Sequence, residues 1–432
     1  MNVSRFTVVQ TYDRLVAQGL IQSRRGAGYY VCARTTPVLG AEEPTRGDTV
    51  QTVFDTSFLL RNILRETTGT ELPSSAGLLP ADWMDADMVG AALRAVGRNT
   101  GAQLLGYGSA KGYLPLRQQI ASVLQMQDVP AHPAHHVMTV AGVTQGLDVI
   151  LRALVQPGDT VLVEDPAWFL VFARLRALGA NVVGVPRLAD GPDVVALQHI
   201  AQRHRPTLFI VNTAVHNPTG FSLSAGVAHE VLKIAEQFDF MLVEDDTYAD
   251  FYPTTPVRLA ALDRLKRVML VGGYSKTLAA SLRVGYIAAA PALIEKLTDI
   301  KLLGALTSPE LNERVVHRVL VDGNYKRHVE RLRARVETAR DRCLKALGKL
   351  DCVVHTPPTA GMFVWADCGV DTEIVAQHAA AQGEILAPGF LFSPQQTPST
   401  FIRVSVSAVE NKAIWPLLSN ILGHLRAGRR TP

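Results

Sequence analysis

The chain has 432 residues, 47% of them apolar and 19% charged, with a formal net charge of +4. That length exceeds what one hydrophobic core usually organises, so two or more compact units are expected. No apolar run approaches the ~20 residues that cross a bilayer, and MNVSRFTVVQ has neither an apolar leader core nor a small-residue cleavage site, which argues against membrane-spanning and secreted readings and for the cytoplasm.

The charge is unevenly placed. Residues 1–34 hold Arg5, Arg14, Arg24, Arg25 and Arg34 against Asp13 alone, so this head carries the whole net charge and the remainder balances acid for base. A basic head on a neutral body suits a polyanion, and equally an ordinary solvated face. Ser4 can cap a helix on which Val8, Tyr12, Leu15 and Val16 recur at helical spacing until Gly19 ends it. LIQSRR, GAG and YYVCA then predict strand, glycine turn and strand. Residues 35–56, with Pro37, Gly40, Pro44 and Gly47, predict a linker.

From about residue 100, β-branched apolar runs alternate with amphipathic helical stretches. HHVMTV, DTVLVED, NVVGVP, TLFIVN, FMLVED, RVMLVGG and RVGYIAA predict a mostly parallel sheet covered on both faces, an α/β large domain over about 96–308. Ligands then belong at the carboxyl ends of its strands. After Pro309, the charged helix HVERLRARVETARDRCLKAL and the segments GMFVWAD and FIRVSVS predict a smaller α+β domain of residues 309–432, completed by 57–95. Cys32, Cys343, Cys352 and Cys368 lack CxxC spacing and a histidine at zinc-ligand spacing, so reduced structural thiols are expected rather than disulfides or metal ligands.

Five features at predicted strand ends carry chemistry. In AGVTQGLDVILRAL, the amides of Val143 and Thr144 and the Thr144 hydroxyl can receive a phosphate at a helix start, although the same pattern makes an ordinary cap. Trp168, in VEDPAWFL, offers a stacking face or simply a core side chain. Asn217, in HNPTG, can donate to a ring oxygen or mark a turn. The three carboxylates of VEDDTYADF would ordinarily signal a metal. Asp245 and Tyr248, three apart, instead suit a pyridinium nitrogen and the ring oxygen beside it, so no metal is expected. Lys276, in GGYSKTLAASLRVGYIAA, has Arg283 seven residues on, and positive charge with burial favours the free amine that attacks an aldehyde.

Taken together, YGSAKGYLPLRQQIA, PGDTVLVEDPAW, HNPTG, VEDDTY, YSKTL, LRVGY and FIRVSV resemble the fold-type-I, class I/II aminotransferases from about residue 74 to 420. The resemblance implies pyridoxal 5′-phosphate as cofactor, with Lys276 as its Schiff-base lysine and Asp245 on the ring nitrogen. It implies Asn217 and Tyr248 on the phenolic oxygen, Trp168 stacked on the ring, and Val143, Thr144, Ser275 and Arg283 on the phosphate. Tyr107 would reach in from the partner subunit of a homodimer, and Arg403 would grip a substrate α-carboxylate with its fork. Gly273 stands where a phosphate-binding serine is common, which implies heavier reliance on Ser275 and Arg283.

The head is similar to the recognition helix and wing of GntR-type winged helix-turn-helix proteins, over SRFTVVQTYDRLVAQGLIQSRRGAGYYV. Ser4, Arg5 and Thr7 would then approach the major groove or phosphates, and Arg24 and Arg25 the backbone. Head and body together resemble the MocR group of bacterial transcription regulators, with the preceding helices of the winged domain outside this sequence and DNA binding weakened for want of them. The expected function is a regulator whose cofactor domain senses a vitamin B6 vitamer, an amino acid or another amine. An aminotransferase converting an amino acid to its keto acid, with Lys276 as general base, is the alternative. A third reading is a binder in which the cofactor only stabilises the dimer.

Overall fold

The computed structural model describes residues 4–18, 20–24, 26–32, 61, 75, 77–99 and 101–428. Gly19, Arg25, Arg34 and the expected linker 35–56 lie outside the described residues. The chain divides into two units, Met1–Thr52 and Val53–Pro432.

In the first unit a helix spans Arg5–Ala17, and its N-cap Ser4 accepts a hydrogen bond at Oγ from the Thr7 amide at 3.1 Å. That bond satisfies one of the donors every helix start leaves free. Strands β1 (Ile21–Arg24) and β2 (Gly28–Val31) form an antiparallel hairpin with Arg24 opposite Gly28. The helix packs on the hairpin through Tyr12 and Tyr29, whose ring centroids lie 4.5 Å apart. No side chain of the helix is buried, and Phe6, Val8, Val9, Tyr12 and Val16 are all exposed.

The second unit is built on an eight-stranded sheet. In chain order its strands are β3 (Val137–Val140), β4 (Thr160–Asp165), β5 (Asn181–Leu188), β6 (Gly191–Pro192), β7 (Leu208–Asn212), β8 (Met241–Asp245), β9 (Val268–Gly273) and β10 (Gly285–Ala288). Across the sheet the order is β3-β10-β9-β8-β7-β4-β5-β6. The run β9-β8-β7-β4-β5 is parallel, whereas β10 is antiparallel to both its neighbours and β6 to β5. Every predicted apolar run became a strand. The short edge strand β6, Gly-Pro with no apolar run, had no signal to find.

Side-chain alternation divides the interior into two cores. Val163, Ile210, Val243 and Val271 enter one, and Leu162, Phe209, Leu242 and Leu270 the other. Helices Val143–Leu154 and Phe169–Ala177 cover the first face through Leu147 and Phe172; helices Val194–His204 and Ala225–Gln237 cover the second through Leu197 and Val231. Each such buried side chain contributes about 1.5–3 kcal/mol.

A separate three-stranded antiparallel sheet holds β11 (Phe363–Asp367), β12 (Ala387–Pro388) and β13 (Phe401–Ser405), with β13 in the centre. The 26-residue helix Asn324–Lys349 packs beside it. Its buried positions Val329, Leu332, Val336, Ala339, Cys343 and Leu347 fall three and four apart, the stripe that lets so charged a helix keep one apolar face. Among the described residues no helix is long and apolar enough to cross a membrane.

Candidate functional site

Because β7, β8 and β9 run parallel, Asn212, Asp245 and Gly273 end at the same edge of the sheet. Alternation sends Asp245 to the face of Val243 and its neighbour Glu244 to the opposite one. The three consecutive carboxylates are thereby separated. Glu244 accepts hydrogen bonds from the Thr213 hydroxyl at 2.7 Å and from the amides of Leu259 and Ala260 at 3.0 and 2.8 Å, with burial pushing its pKa to about 7. Asp246 is clamped by Arg258 through Nε and Nη2 at 3.1 and 3.0 Å. Asp245 accepts from Thr247, amide and hydroxyl, and its main-chain oxygen accepts from Asn212 Nδ2 at 2.6 Å. Burial raises its pKa against the pull of Thr247 and of Lys276.

Asn217 joins three elements. Its amide donates to Asn212 Oδ1 at 2.9 Å, its Nδ2 lies 3.5 Å from the Tyr248 hydroxyl, and its Oδ1 accepts from Arg403 Nη1 at 2.9 Å. Arg403 stands on β13 opposite Trp365, with Nη2 donating to the main-chain oxygen of Ser75 at 2.5 Å. The rings of Phe363 and Phe392 hold its guanidinium at 4.4 and 5.0 Å, while the buried Nε has no hydrogen-bond partner among the described residues. Burial lowers its pKa to about 10.

Lys276 follows β9, and its Nζ donates to the main-chain oxygen of Gly77 at 2.7 Å. Burial, followed by Arg403 and Arg283, lowers its pKa to about 8. Gly77 lies against the site, where an added Cβ would make ordinary contacts 3.4 Å from Phe363 and 3.7 Å from Lys276 Nζ. One cavity is lined by Trp168, Asn212, His216, Asn217 and Asp245, which brings the indole and the carboxylate to one space.

A second group forms where the helix Val143–Leu154 begins. Its N-cap is Gly142, at φ +79° with no side-chain cap, and Val143 and Thr144 are its first residues. Arg283 reaches across with Nη1 3.2 Å from Ser275 Oγ and Nη2 3.3 Å from the oxygen of Ala141. A Cβ at position 142 would lie 2.5 Å from Arg283 Nη2, so a side chain there would push the guanidinium aside, and the positive φ independently favours glycine. Gly273 is similarly tight, its added Cβ falling 3.2 Å from the Val284 oxygen and 3.4 Å from Val143.

Of the residues singled out by sequence, Lys276, Asp245, Asn217, Tyr248, Trp168 and Arg403 meet in this way, and Val143, Thr144, Ser275 and Arg283 form the neighbouring group. Tyr107 is 85% exposed, and no hydrogen bond or ring contact joins it to them among the described residues. In the first unit Ser4, Arg5, Thr7 and Arg24 are exposed, Ser4 and Thr7 share a hydroxyl contact of 2.8 Å, and Arg24 lies 4.8 Å over the Tyr30 ring. Arg25 is outside the described residues.

Sequence reasoning missed the network beneath the cavity. Arg187 bonds Glu164 directly and the Asn212 oxygen at 3.0 Å, while Glu164 accepts the Asn212 amide at 2.8 Å. His216 Nε2 lies 3.4 Å from Glu164, and Nδ1 is 2.8 Å from the Thr219 hydroxyl. Burial, then the Arg187 charge, lowers the His216 pKa well below its usual range and keeps the ring neutral. The signal was a glutamate within the apolar run VLVED.

The class I and II aminotransferase family model matches residues 75–421, and the chain belongs to that family. Its fold is the fold-type-I aminotransferase fold and its cofactor is pyridoxal 5′-phosphate. The residues present fit that group: an anion-ready helix start beside Arg283, a buried carboxylate and an indole lining one cavity, and a lysine depressed to about 8. Aromatic-amino-acid aminotransferase 1 of Thermococcus litoralis is 30% identical over 82% of this chain and 88% of its own. YdfD of Bacillus subtilis, named as an uncharacterized HTH-type transcriptional regulator, is 27% identical over 93% of this chain and 85% of its own. NorG, an HTH-type transcriptional regulator of Staphylococcus aureus, is 23% identical over 98% and 97%. Among solved structures, the α-aminoadipate aminotransferase LysN of Thermus thermophilus, complexed with N-(5′-phosphopyridoxyl)-L-leucine, superposes with a TM-score of 0.76 at 26% identity over 86% of this chain and 95% of that one.

Proposed function

We propose that the chain is a MocR-type transcriptional regulator whose body, residues 57–432, binds pyridoxal phosphate and an amino acid or amine, and whose basic head, residues 1–34, contacts DNA as part of a winged helix. The observation that carries this reading is the reach of the regulator matches. NorG aligns over 98% of the chain, a coverage that must take in most of the head, whereas the Thermococcus aminotransferase aligns over 82%. The head's excess of arginine supports it: Ser4, Arg5 and Thr7 would approach the major groove or phosphates, and Arg24 and Arg25 the backbone. The protein works in the cytoplasm as a homodimer, with Tyr107 directed to the partner's site.

In this reading Lys276 bonds the cofactor, Asp245 holds the proton on its ring nitrogen, and Asn217 and Tyr248 donate to its phenolic oxygen. Trp168 stacks on the ring, and Val143, Thr144, Ser275 and Arg283 take the phosphate. Bound pyridoxal phosphate supplies an aldehyde for the incoming amine and a ring that draws electrons from it. Arg403 orients the ligand through its carboxylate, and its unpaired Nε supports that role. Binding to the DNA upstream of its own gene by a form extended upstream through the rest of the winged helix, measured with and without pyridoxal phosphate and a panel of amino compounds, tests the reading. Ligand-dependent binding is expected, and no binding in any state sinks it.

An aminotransferase is the second reading, favoured by the 30% identity to the Thermococcus enzyme and by a lysine lowered to about 8. Lys276 would then move the proton at the substrate's α-carbon. Keto acid release, followed with the cofactor spectrum across a panel of amino donors, tests it. A spectrum that no donor changes excludes turnover.

A further inference from the structure

We propose that Cys352 and Cys368 are a redox-sensitive pair that hydrogen peroxide closes to a cross-strand disulfide. Val353 and Asp367 form an antiparallel bridge and exchange both main-chain hydrogen bonds at 2.8 Å. The next pair along this ladder is Cys352 and Cys368, at a non-hydrogen-bonded position. Facing Cα atoms at such positions approach about 4.5 Å, inside the range of roughly 4.4–6.8 Å that a disulfide accepts. The two sulfurs already lie 3.7 Å apart.

Arg426 brackets the pair. Its Nη2 lies 4.0 Å from Cys352 Sγ and donates to the Cys368 oxygen at 2.8 Å, while Nη1 donates to the Leu350 oxygen at 2.7 Å. Hydrogen bonding from the Cys368 thiol, then the guanidinium, holds the Cys352 thiol below its ordinary range; Cys368 is held above it. A lowered thiol beside an arginine is the attacking one, and at 6% exposure against 2% it is also the nearer to solvent.

The chemistry balances on peroxide alone. The Cys352 thiolate attacks one peroxide oxygen, the O–O bond breaks, and the departing hydroxide takes a proton to become water. Cys368 Sγ then attacks Cys352 Sγ, the S–O bond breaks, and the second hydroxide leaves as water with the Cys368 proton. Two thiols lose two electrons and one peroxide becomes two waters. The closed bond staples the turn after the helix Asn324–Lys349 to the end of β11, the strand whose Phe363 lies against Arg403.

The test uses the full-length protein with pyridoxal phosphate bound. After hydrogen peroxide, a count of free thiols in denaturant and a non-reduced peptide map should show two of the four cysteines lost, one cross-linked peptide joining Cys352 to Cys368, and recovery with dithiothreitol. Cys368→Ser should prevent the paired loss and leave Cys352 trappable as a sulfenic acid, while Cys343→Ser should leave the pair unaffected. Four intact thiols under peroxide that fully oxidises free glutathione, or a cross-link that maps to Cys32, would overturn the proposal. Paired loss persisting in Cys368→Ser would do the same. Should that variant not fold, the map of the unmodified protein still decides.

Discussion

Arg403 Nη1 donates to Asn217 Oδ1 at 2.9 Å, and this one bond sets which way the Asn217 amide faces. With its oxygen committed to the guanidinium, the amide must turn Nδ2 toward Tyr248, whose hydroxyl lies 3.5 Å away. The residue proposed for the ligand carboxylate thus orients a donor proposed for the cofactor. Groups sharing such a contact show coupling of about 0.5–3 kcal/mol in double-mutant cycles, and Arg403 and Asn217 should do so when the readout is amino acid affinity.

Substituting Arg403→Lys keeps the charge and loses the fork. Affinity for amino acids, read by titration of the cofactor absorbance, should fall at least about tenfold, near 1.4 kcal/mol. Pyridoxal phosphate affinity should change much less. Equal affinity in variant and parent would remove Arg403 from carboxylate recognition.

Gly142→Ala should weaken pyridoxal phosphate binding without unfolding the protein. The added Cβ would fall 2.5 Å from Arg283 Nη2, and φ of +79° is strained for any side chain. Displacing the guanidinium costs a charged phosphate contact, for which about tenfold in dissociation constant is the expected scale. Equilibrium dialysis of the cofactor, beside a thermal melt, separates the two effects.

Lys276, with its pKa lowered to about 8, should give pyridoxal phosphate uptake by the apoprotein that rises with pH and levels above that value. Arg283→Gln removes one depressing charge and should move the midpoint upward. The sign for stability follows from linkage. The folded pKa lies below the ordinary 10.5, so the unfolded chain binds more protons between about 8 and 10.5 and the lysine's contribution to stability improves as pH rises through that window. Stopped-flow absorbance and pH-dependent melts check the two halves.

Arg187→Met should destabilise the protein by about 3–5 kcal/mol, because it leaves Glu164 buried at the sheet edge without its cation. Adding Glu164→Gln should recover part of the loss. Urea unfolding of the single and double variants measures this, and additive losses would show that the two side chains act independently.

The sheet was legible because strands buried on both faces must be apolar, and β3, β4 and β7 to β10 are such runs, while the half-exposed β5 still opens with the apolar run 182–185. The site was legible where chemistry restricts residue choice: Asp245, Asn217 and Lys276 each sit in a short motif at or just past a strand end, and Arg403 in the motif of β13. Glu164, Arg187 and His216 escaped notice because their burial depends on partners distant in sequence. Grouping Glu244, Asp245 and Asp246 as neighbours overlooked the alternation of β8, which faces them to different surroundings. Ser75 and Gly77 contribute main-chain oxygens, which no residue type announces.

Those two oxygens tie main-chain atoms into the site. Arg403 holds Ser75 with one Nη group and Asn217 with the other, while Lys276 holds Gly77. If Arg403 takes a ligand carboxylate as proposed, that carboxylate trades one acceptor for another, and the free energy released is the difference between them rather than the whole of a new bond. The concentration at which such a ligand prevails is then governed partly by how firmly the Ser75 and Gly77 oxygens are held, so substitutions at those two positions should shift ligand affinity while every side chain proposed to touch the ligand stays the same.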